Sequence, residues 1–374
     1  MSSVRRLSFI LVWTSLSLAA QTSGPPQLFQ EAVAAQQRGD DALAVRKYRE
    51  LLALHPEAAV VHANLGATLA HMKRYDEAIQ EYRAVLASDP GNVHVRLNLA
   101  LAYEAKGQQQ RALEEFESLH REHPEDQQTA LLLADCYQNL KRYSDAVRVL
   151  SGIQAERPDD VDEDVEYALG SALIQAGRGA EGVAHVEKVA EKAGNADAYL
   201  LAGQTRLDLS QYDLAQRDAG AAMRINPNLA GLQTLNGMIL EHTGDYAAAE
   251  GALRQSLHAD DRDFNAHFYL GSILYFRRET AEAKVHLQRA LQLRPKSAQV
   301  RYKLALVANT EGRPEEALSE LQAVVRASPD WMEPHAELSA LYYRLHRAED
   351  GARERREVER LSAAQPAAPA GTAP

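Results

Sequence analysis

Ala59–Asn92, AVVHANLGATLAHMKRYDEAIQEYRAVLASDPGN, is the stretch whose reading decides the fold. Its first half, Val60 to Met72, places His62, Leu65, Gly66 and Leu69 at the i, i+3, i+4, i+7 spacing of an amphipathic helix. Its second half, Tyr75 to Ser88, places Ala78, Tyr82 and Val85 on a matching stripe, and Pro90 ends it. Glycine weakens a helix, so Gly66 suits its place only if another element comes close there, where a side chain would overpack. Small Ala78 offers the complementary flat surface.

A helical hairpin of this size cannot bury its own apolar faces, so it must stack on copies of itself. The copies are present at a period of 34 residues. The frame of Leu65-Gly66, Ala78 and Pro90 falls on Ala44 and Pro56 before it, then on Leu99-Ala100, Ala112 and Pro124, and on Leu133-Ala134, Ala146 and Pro158. It continues through Leu169-Gly170 and Gly182, Ala202-Gly203, Ala215 and Pro227, and Asn236-Gly237 and Ala249. Leu270-Gly271, Ala283 and Pro295, Leu304-Ala305, Ala317 and Pro329, and a last Leu338-Ser339 complete it.

The period and the small-residue positions resemble the tetratricopeptide repeat. The resemblance implies an all-α fold, a right-handed superhelical solenoid of tetratricopeptide helical hairpins with a concave groove that binds proteins. About ten repeats are read, near 25–58, 59–92, 93–126, 127–160, 163–195, 196–229, 230–263, 264–297, 298–331 and 332–364. The family's Trp at position 4 is missing throughout, replaced by Leu28, His62, Arg96, Tyr199 or His267. Tyr48, Tyr82 and Phe116 at position 24, Tyr103 and Tyr137 at position 11, and Tyr75 and Tyr143 at position 17 read as core filling rather than a binding stripe.

Before the repeats, Arg5 and Arg6 precede an apolar run from Leu7 to Leu18 and small residues at Ser17, Ala19 and Ala20. This reads as a signal peptide over 1–19, cleaved after Ala19, with a short linker over 20–24. The alternative is an uncleaved N-terminal anchor, against which the run falls short of the roughly 20 residues of a membrane span. No cysteine follows the run, which argues against a lipoprotein anchor. These features point to an exported protein of the bacterial envelope, in the periplasm. The last residues, 365–374, are an Ala/Pro tail read as disordered.

The formal charge of −11, less the two arginine charges of the signal, becomes −13, which disfavours nucleic acid or an anionic membrane surface as the main partner. The single cysteine, Cys136, permits no internal disulfide and reads as a small core residue rather than a nucleophile. Asp159, Asp160, Asp162, Glu163, Asp164 and Glu166 crowd the start of repeat five. Their spacing lacks the Gly and terminal Glu of a calcium loop and suits the positive end of a helix. Gly182 in place of alanine predicts looser packing and a softer joint from Pro158 to Gly194. The charged last helix reads as a polar cap.

By resemblance to the family, positions 2, 5, 9, 12 and 13 of each first helix line the groove. In repeats one to seven they are mixed, with Gln36, His71, Glu104, Asp135, Gln138 and Asn139 among them. Repeats eight to ten put Phe268, Tyr275, Phe276, Tyr302 and Tyr343 there. Aromatics at non-packing positions read as a partner-binding patch for a peptide segment or helix, the alternative being that they cover a neighbouring helix. Asn64 and Asn98, both at position 6, are similar to the asparagine ladder in the repeat arm of the O-linked N-acetylglucosamine transferase. Such amides can pair with both polar groups of a peptide backbone.

No phosphate loop, zinc-binding HExxH or nucleophile elbow occurs. His120 and His123 have no evident third metal ligand, and no cofactor is expected. The sequence therefore predicts a non-enzymatic scaffold for a protein partner. The second reading is an accessory component for polysaccharide or outer-membrane export, whose groove would hold a glycan as readily as a peptide.

Overall fold

One residue in each repeat, the fifteenth, turns the first helix into the second. In the computed structural model, which describes residues 25–156 and 162–364, this position has positive φ in every repeat. Gly39, Gly107, Gly177, Gly244 and Gly312 alternate with Lys73, Lys141, Ser210, Arg278 and His346. A left-handed residue just past a helix reverses the chain in a step, and glycine adopts it without the Cβ penalty of about 1–2 kcal/mol that the other five bear.

The hairpins that result are α1 (Pro25–Gln37) with α2 (Asp41–Leu54), α3 (Ala59–His71) with α4 (Tyr75–Ser88), and α5 (Val93–Ala105) with α6 (Gln109–Glu122). They continue with α7 (Gln127–Asn139) and α8 (Tyr143–Glu156), α9 (Glu163–Gln175) and α10 (Gly179–Ala193), and α11 (Ala196–Asp208) and α12 (Tyr212–Ile225). Then come α13 (Leu232–His242) and α14 (Tyr246–Ala259), α15 (Phe264–Phe276) and α16 (Thr280–Leu293), α17 (Ala298–Thr310) and α18 (Pro314–Ala327), and α19 (Met332–Arg344) and α20 (Ala348–Ala364). The described residues contain no strand, and no described helix is long and apolar enough to cross a membrane. The signal segment, the linker, Pro158 to Asp160 and the tail lie outside the described residues.

The chain divides into two compact units within α11, one up to Thr205 and one from Arg206. In the first, a single apolar core runs from Ala32 to Leu173, with a second cluster from Val183 to Ala202. In the second, one cluster spans α14 to α17 and another α17 to α19. Tyr48, Tyr82 and Phe116 are fully buried and Tyr103 and Tyr137 nearly so, each ring contributing about 1.5–3 kcal/mol by leaving water. These aromatics belong to the packing, as their fixed positions predicted. A Cβ at Gly66 would stand 2.6 Å from the Tyr82 ring, so the glycine is what admits that ring.

Position 4, where the family's tryptophan is missing, carries a polar clamp in several repeats. His62 Nδ1 meets Glu81 at 2.6 Å while its Nε2 meets the Pro56 carbonyl, and His335 repeats both contacts with Glu354 and Pro329. Arg301 holds Glu320 and Pro295 in the same way. In repeat five the polarity is reversed, with Glu166 on α9 taking His185 and Lys188. A pair of side chains nineteen residues apart thus ties the first helix to the second where a buried indole is absent.

Repeat five differs from expectation. Gly170 and Gly182 face each other so closely that a Cβ on Gly182 would lie 2.5 Å from the Gly170 carbonyl oxygen. The missing methyl brings α9 and α10 together instead of leaving slack between them. The acidic residues described there act in the local structure: Asp162 caps α9 by accepting from the Asp164 N–H, and Glu163 pairs with Lys192. At the other end, α20 buries only Gly351 and Leu361 and laces its exposed face with pairs such as Arg355–Glu359, the polar cap the sequence predicted.

Candidate functional site

First helices of successive repeats touch in the second unit, α13 against α15 and α15 against α17. Residues on their common face therefore lie side by side, and that face is aromatic. Phe276 is 64% exposed and Tyr343 44%, while Phe268, Tyr275 and Tyr302 are half-buried. Phe276 rests on Tyr246 with ring centroids 4.7 Å apart, and Tyr302 on Trp331 at 4.9 Å. Phe268 lies parallel to Phe264 at 6.2 Å and meets the edge of Tyr269 at 5.3 Å. From Tyr269 the row runs on through His242 to Tyr212.

The five aromatics singled out from sequence are not one cluster. Tyr275 and Phe276 are neighbours on α15, and Tyr302 lies on α17, against which α15 packs. Tyr343 instead lies over its own hairpin, 3.0 Å from where a Gly351 Cβ would be, so much of its ring covers the solenoid end. Tyr246, Tyr269 and Trp331 were missed. Tyr269 and Lys303 occupy position 6, the column in which Asn64 and Asn98 stand, and reading that column to its end would have found both. The two asparagines themselves are packed in, Asn64 at 7% exposure and Asn98 at 1%. Neither amide can reach a peptide as the rungs of an open ladder would.

The aromatic face is electrostatically uneven. Burial, then Glu337, Glu333 and Tyr275, push the Tyr302 phenol up to about 12. Burial, Glu241, Asp208 and Tyr212 raise Tyr269 as well. Lys303 is half-buried there; burial draws its ammonium below the usual lysine range, against the pull of Glu241. Beneath this face, His267 and His286 meet Nδ1 to Nδ1 at 3.0 Å, with ring centroids 5.2 Å apart. Two nitrogens aimed head-on at that distance share a proton and leave no room for an ion between them.

In the first unit the inner positions hold carboxylates. Asn139 Nδ2 donates to Glu104 Oε1 at 3.3 Å and to Asp135 Oδ2 at 3.2 Å. Burial and the Asp135 charge push the Glu104 carboxyl up to about 7, opposed by the Asn139 bond. A folded value above the ordinary one near 4.5 means that the fold keeps a proton the unfolded chain has released. Stability therefore falls as pH rises from about 4.5 through about 7 and is level beyond. Glu104→Gln is expected to raise stability by about 1–2 kcal/mol at pH 8, allowing for partial solvent screening, and to leave it nearly unchanged at pH 4. Urea melts at the two pH values check this.

Cys136 is fully buried, its thiol pushed up to about 12 by burial and then by Glu104, Asp135 and Glu117. At neutral pH it is a thiol held against the Gln109 carbonyl, 3.8 Å away, which is core chemistry and not a nucleophile's. Among the described residues, no three side chains of His, Cys, Asp or Glu converge on a point that could hold a metal ion. His120 and His123 remain two histidines, the latter 3.9 Å from Glu125.

Two tetratricopeptide-repeat models match the sequence, one over residues 105–169 and 277–351 and the other over 29–93 and 235–283, together well over half of the chain. Among curated proteins, the TPR repeat-containing thioredoxin TTL4 of Arabidopsis thaliana is 35% identical over 83 residues. That match covers 22% of this chain and spans only 12% of the relative. Among solved structures, the APC/C hetero-tetramer Cut9-Hcn1 aligns over 92% of this chain and 88% of that one, with a TM-score of 0.51 at 14% identity. MamA 41-end from Desulfovibrio magneticus RS-1 aligns over 46% of this chain and 96% of that one, with a TM-score of 0.41 at 22% identity. At 14% identity, the likeness to Cut9-Hcn1 speaks to fold alone.

Proposed function

The chain belongs to the tetratricopeptide-repeat family, and from that premise we propose that it is a non-enzymatic scaffold of the bacterial envelope that holds a segment of a partner protein on the first-helix face of its second unit. One observation carries the proposal. Phe276, 64% exposed, stands on α15 against the Tyr246 ring, half-buried Tyr275 precedes it in the same helix, and half-buried Tyr302 lies on α17, the first helix that α15 touches next. Rings arranged this way present apolar area that a soluble chain seldom leaves open without use, and aromatics dominate the energetics of protein interfaces. The envelope address rests on the basic and apolar residues of the first nineteen positions.

The test is affinity capture from envelope and cytosolic extracts, with the chain from Ala20 onward as bait, beside Tyr275→Ala, Phe276→Ala and Tyr302→Ala combined. An envelope protein is expected to be retained by the first bait and its affinity to fall at least about thirtyfold with the second, as for hot-spot residues worth about 2 kcal/mol together or more. Equal melting curves show that the variant remains folded. Retention that survives the three changes would remove the aromatic face from the function.

A further inference from the structure

Positions 4 and 23 of a repeat are tied by opposite charges in repeats two, three, five, nine and ten. His62 meets Glu81 at 2.6 Å, Arg96 meets Glu115 at 3.7 Å, Glu166 meets His185 at 3.0 Å, Arg301 meets Glu320 at 2.8 Å and His335 meets Glu354 at 2.6 Å. Repeat eight breaks the rule by setting two bases there, His267 on α15 and His286 on α16, Nδ1 to Nδ1 at 3.0 Å. His267 is 8% exposed, and its Nε2 lies 3.0 Å from the Asp261 carbonyl. A carbonyl only accepts, so the His267 proton sits on Nε2 and its Nδ1 accepts from the Nδ1–H of His286. That leaves His286 Nε2 without a proton, 3.7 Å from Glu282. The other charged groups around the pair are engaged: Arg254 on α14 holds Glu282 at 2.8 Å, Asp261 turns its carboxylate to Arg289 at 3.5 Å, and Arg301 on α17 holds Glu320.

We infer that this pair makes repeat eight acid-labile: below about pH 6 the tie between α15 and α16 breaks and the hairpin opens, while the clamps of the other repeats hold. Proton counting gives the direction. A first added proton enters at His286 Nε2, facing Glu282, and leaves the contact between the rings intact. A second must enter at His267 Nδ1, where two N–H groups would point at each other and two cations would lie side by side. The folded repeat therefore refuses a proton that the unfolded chain accepts near pH 6.5, and stability is lost as pH falls through that value. Burial and the facing His267 hold His286 below the usual imidazole range, which adds to the loss. In the His62 and His335 clamps, protonation instead sets a cation against a carboxylate and tightens the tie. Tyr275 and Phe276 stand on α15 too, so the device bears on the helix of the aromatic face, but it operates whether or not a partner docks there.

Hydrogen exchange of the whole chain at about pH 7.5 and about pH 5, read as protection factors so that the intrinsic pH dependence of exchange divides out, tests this. Protection in α15 and α16 is expected to fall at least about tenfold in acid, one withheld proton costing a factor of about ten per pH unit below about 6.5. Protection around the His62–Glu81 clamp of repeat two should hold. His286→Glu installs the clamp of repeats two and ten, and the amide of His286→Gln can turn its oxygen to a protonated His267. Each should keep α15 and α16 protected in acid. Both variants are judged against their own protection at the higher pH, so one that is weaker throughout still reports the pH dependence. Equal protection of the parent at the two pH values would overturn the inference, as would an acid loss that persists undiminished in both variants or one that is the same in repeats two and eight.

Discussion

Replacing Asp218 with alanine is expected to destabilise the chain by about 3–5 kcal/mol, although the side chain touches no ligand surface. Asp218 is fully buried and Arg206 is 6% exposed, and the guanidinium Nη1 of Arg206 donates to Asp218 Oδ2. The second carboxylate oxygen accepts from Nε and Nη2 of Arg217, each at 3.3 Å. Alanine removes this acceptor from a guanidinium held inside a packed repeat, and the loss of that buried pairing is the large term. Removing both partners should cost far less. Arg206→Met with Asp218→Ala is expected to recover most of the loss, since apolar side chains of similar volume often match a buried ion pair. Breaking the exposed Arg355–Glu359 pair should change stability by less than about 1 kcal/mol. Denaturant melts followed by circular dichroism give the totals, and hydrogen exchange locates the loss, which should centre on α11 and α12 because repeats couple only to their neighbours. A single Asp218→Ala variant within 1 kcal/mol of the parent would mean that the pair is solvated and the burial argument is wrong.

Arg206 also marks how far the sequence could be read. It stands at position 11, where Tyr103 and Tyr137 fill the core, and the repeat frame alone assigns that position to an apolar side chain. The hairpins, their stacking and the buried Tyr48, Tyr82 and Phe116 were legible because a fixed period repeats the same demand ten times, so that one reading is checked by the others. Departures from the frame were not legible, because each is solved by a partner far along the chain: Asp218 for Arg206, Glu81 for His62, Gly170 for Gly182. The binding face was half legible. Inner positions 5, 12 and 13 pointed to Phe268, Tyr275 and Phe276, but the same rule placed Tyr343 in the open and could not show that it lies over Gly351. Asn64 and Asn98 are buried, while Tyr269 and Lys303 in the same column are only half-buried, so position 6 alone does not tell an inner rung from a packed side chain.

Gly182→Val should destabilise the chain by the upper end of about 1–3 kcal/mol, against the usual gain of up to about 1 kcal/mol when a glycine inside a helix acquires a side chain. The difference lies in what a Cβ would meet. At Gly237 and Gly271 the atoms nearer than 3.0 Å belong to the side chains of Leu253 and Leu287, at 2.6 and 2.8 Å, which can turn aside, while at Gly66 they belong to the rigid, buried Tyr82 ring at 2.6 Å. At Gly182 they include the backbone, with the Gly170 carbonyl oxygen at 2.5 Å and the Ile174 nitrogen at 2.9 Å. The reciprocal Cβ on Gly170 would lie 2.8 Å from the Gly182 carbonyl oxygen. Neither helix can yield without moving as a body, which would open the crossing of α9 and α10. Alanine at the four positions should therefore rank Gly182 as the most damaging, Gly66 next because the buried Tyr82 ring cannot easily yield, and Gly237 and Gly271 closest to neutral as their leucine neighbours re-pack. The same geometry bears on repeat five in the parent chain. If the close crossing holds it together, its amides exchange as slowly as those of repeats two and three. Fast exchange confined to α9 and α10, together with an alanine at Gly182 that costs nothing, would show that the two backbones part readily and that repeat five is the soft joint its glycines first suggested.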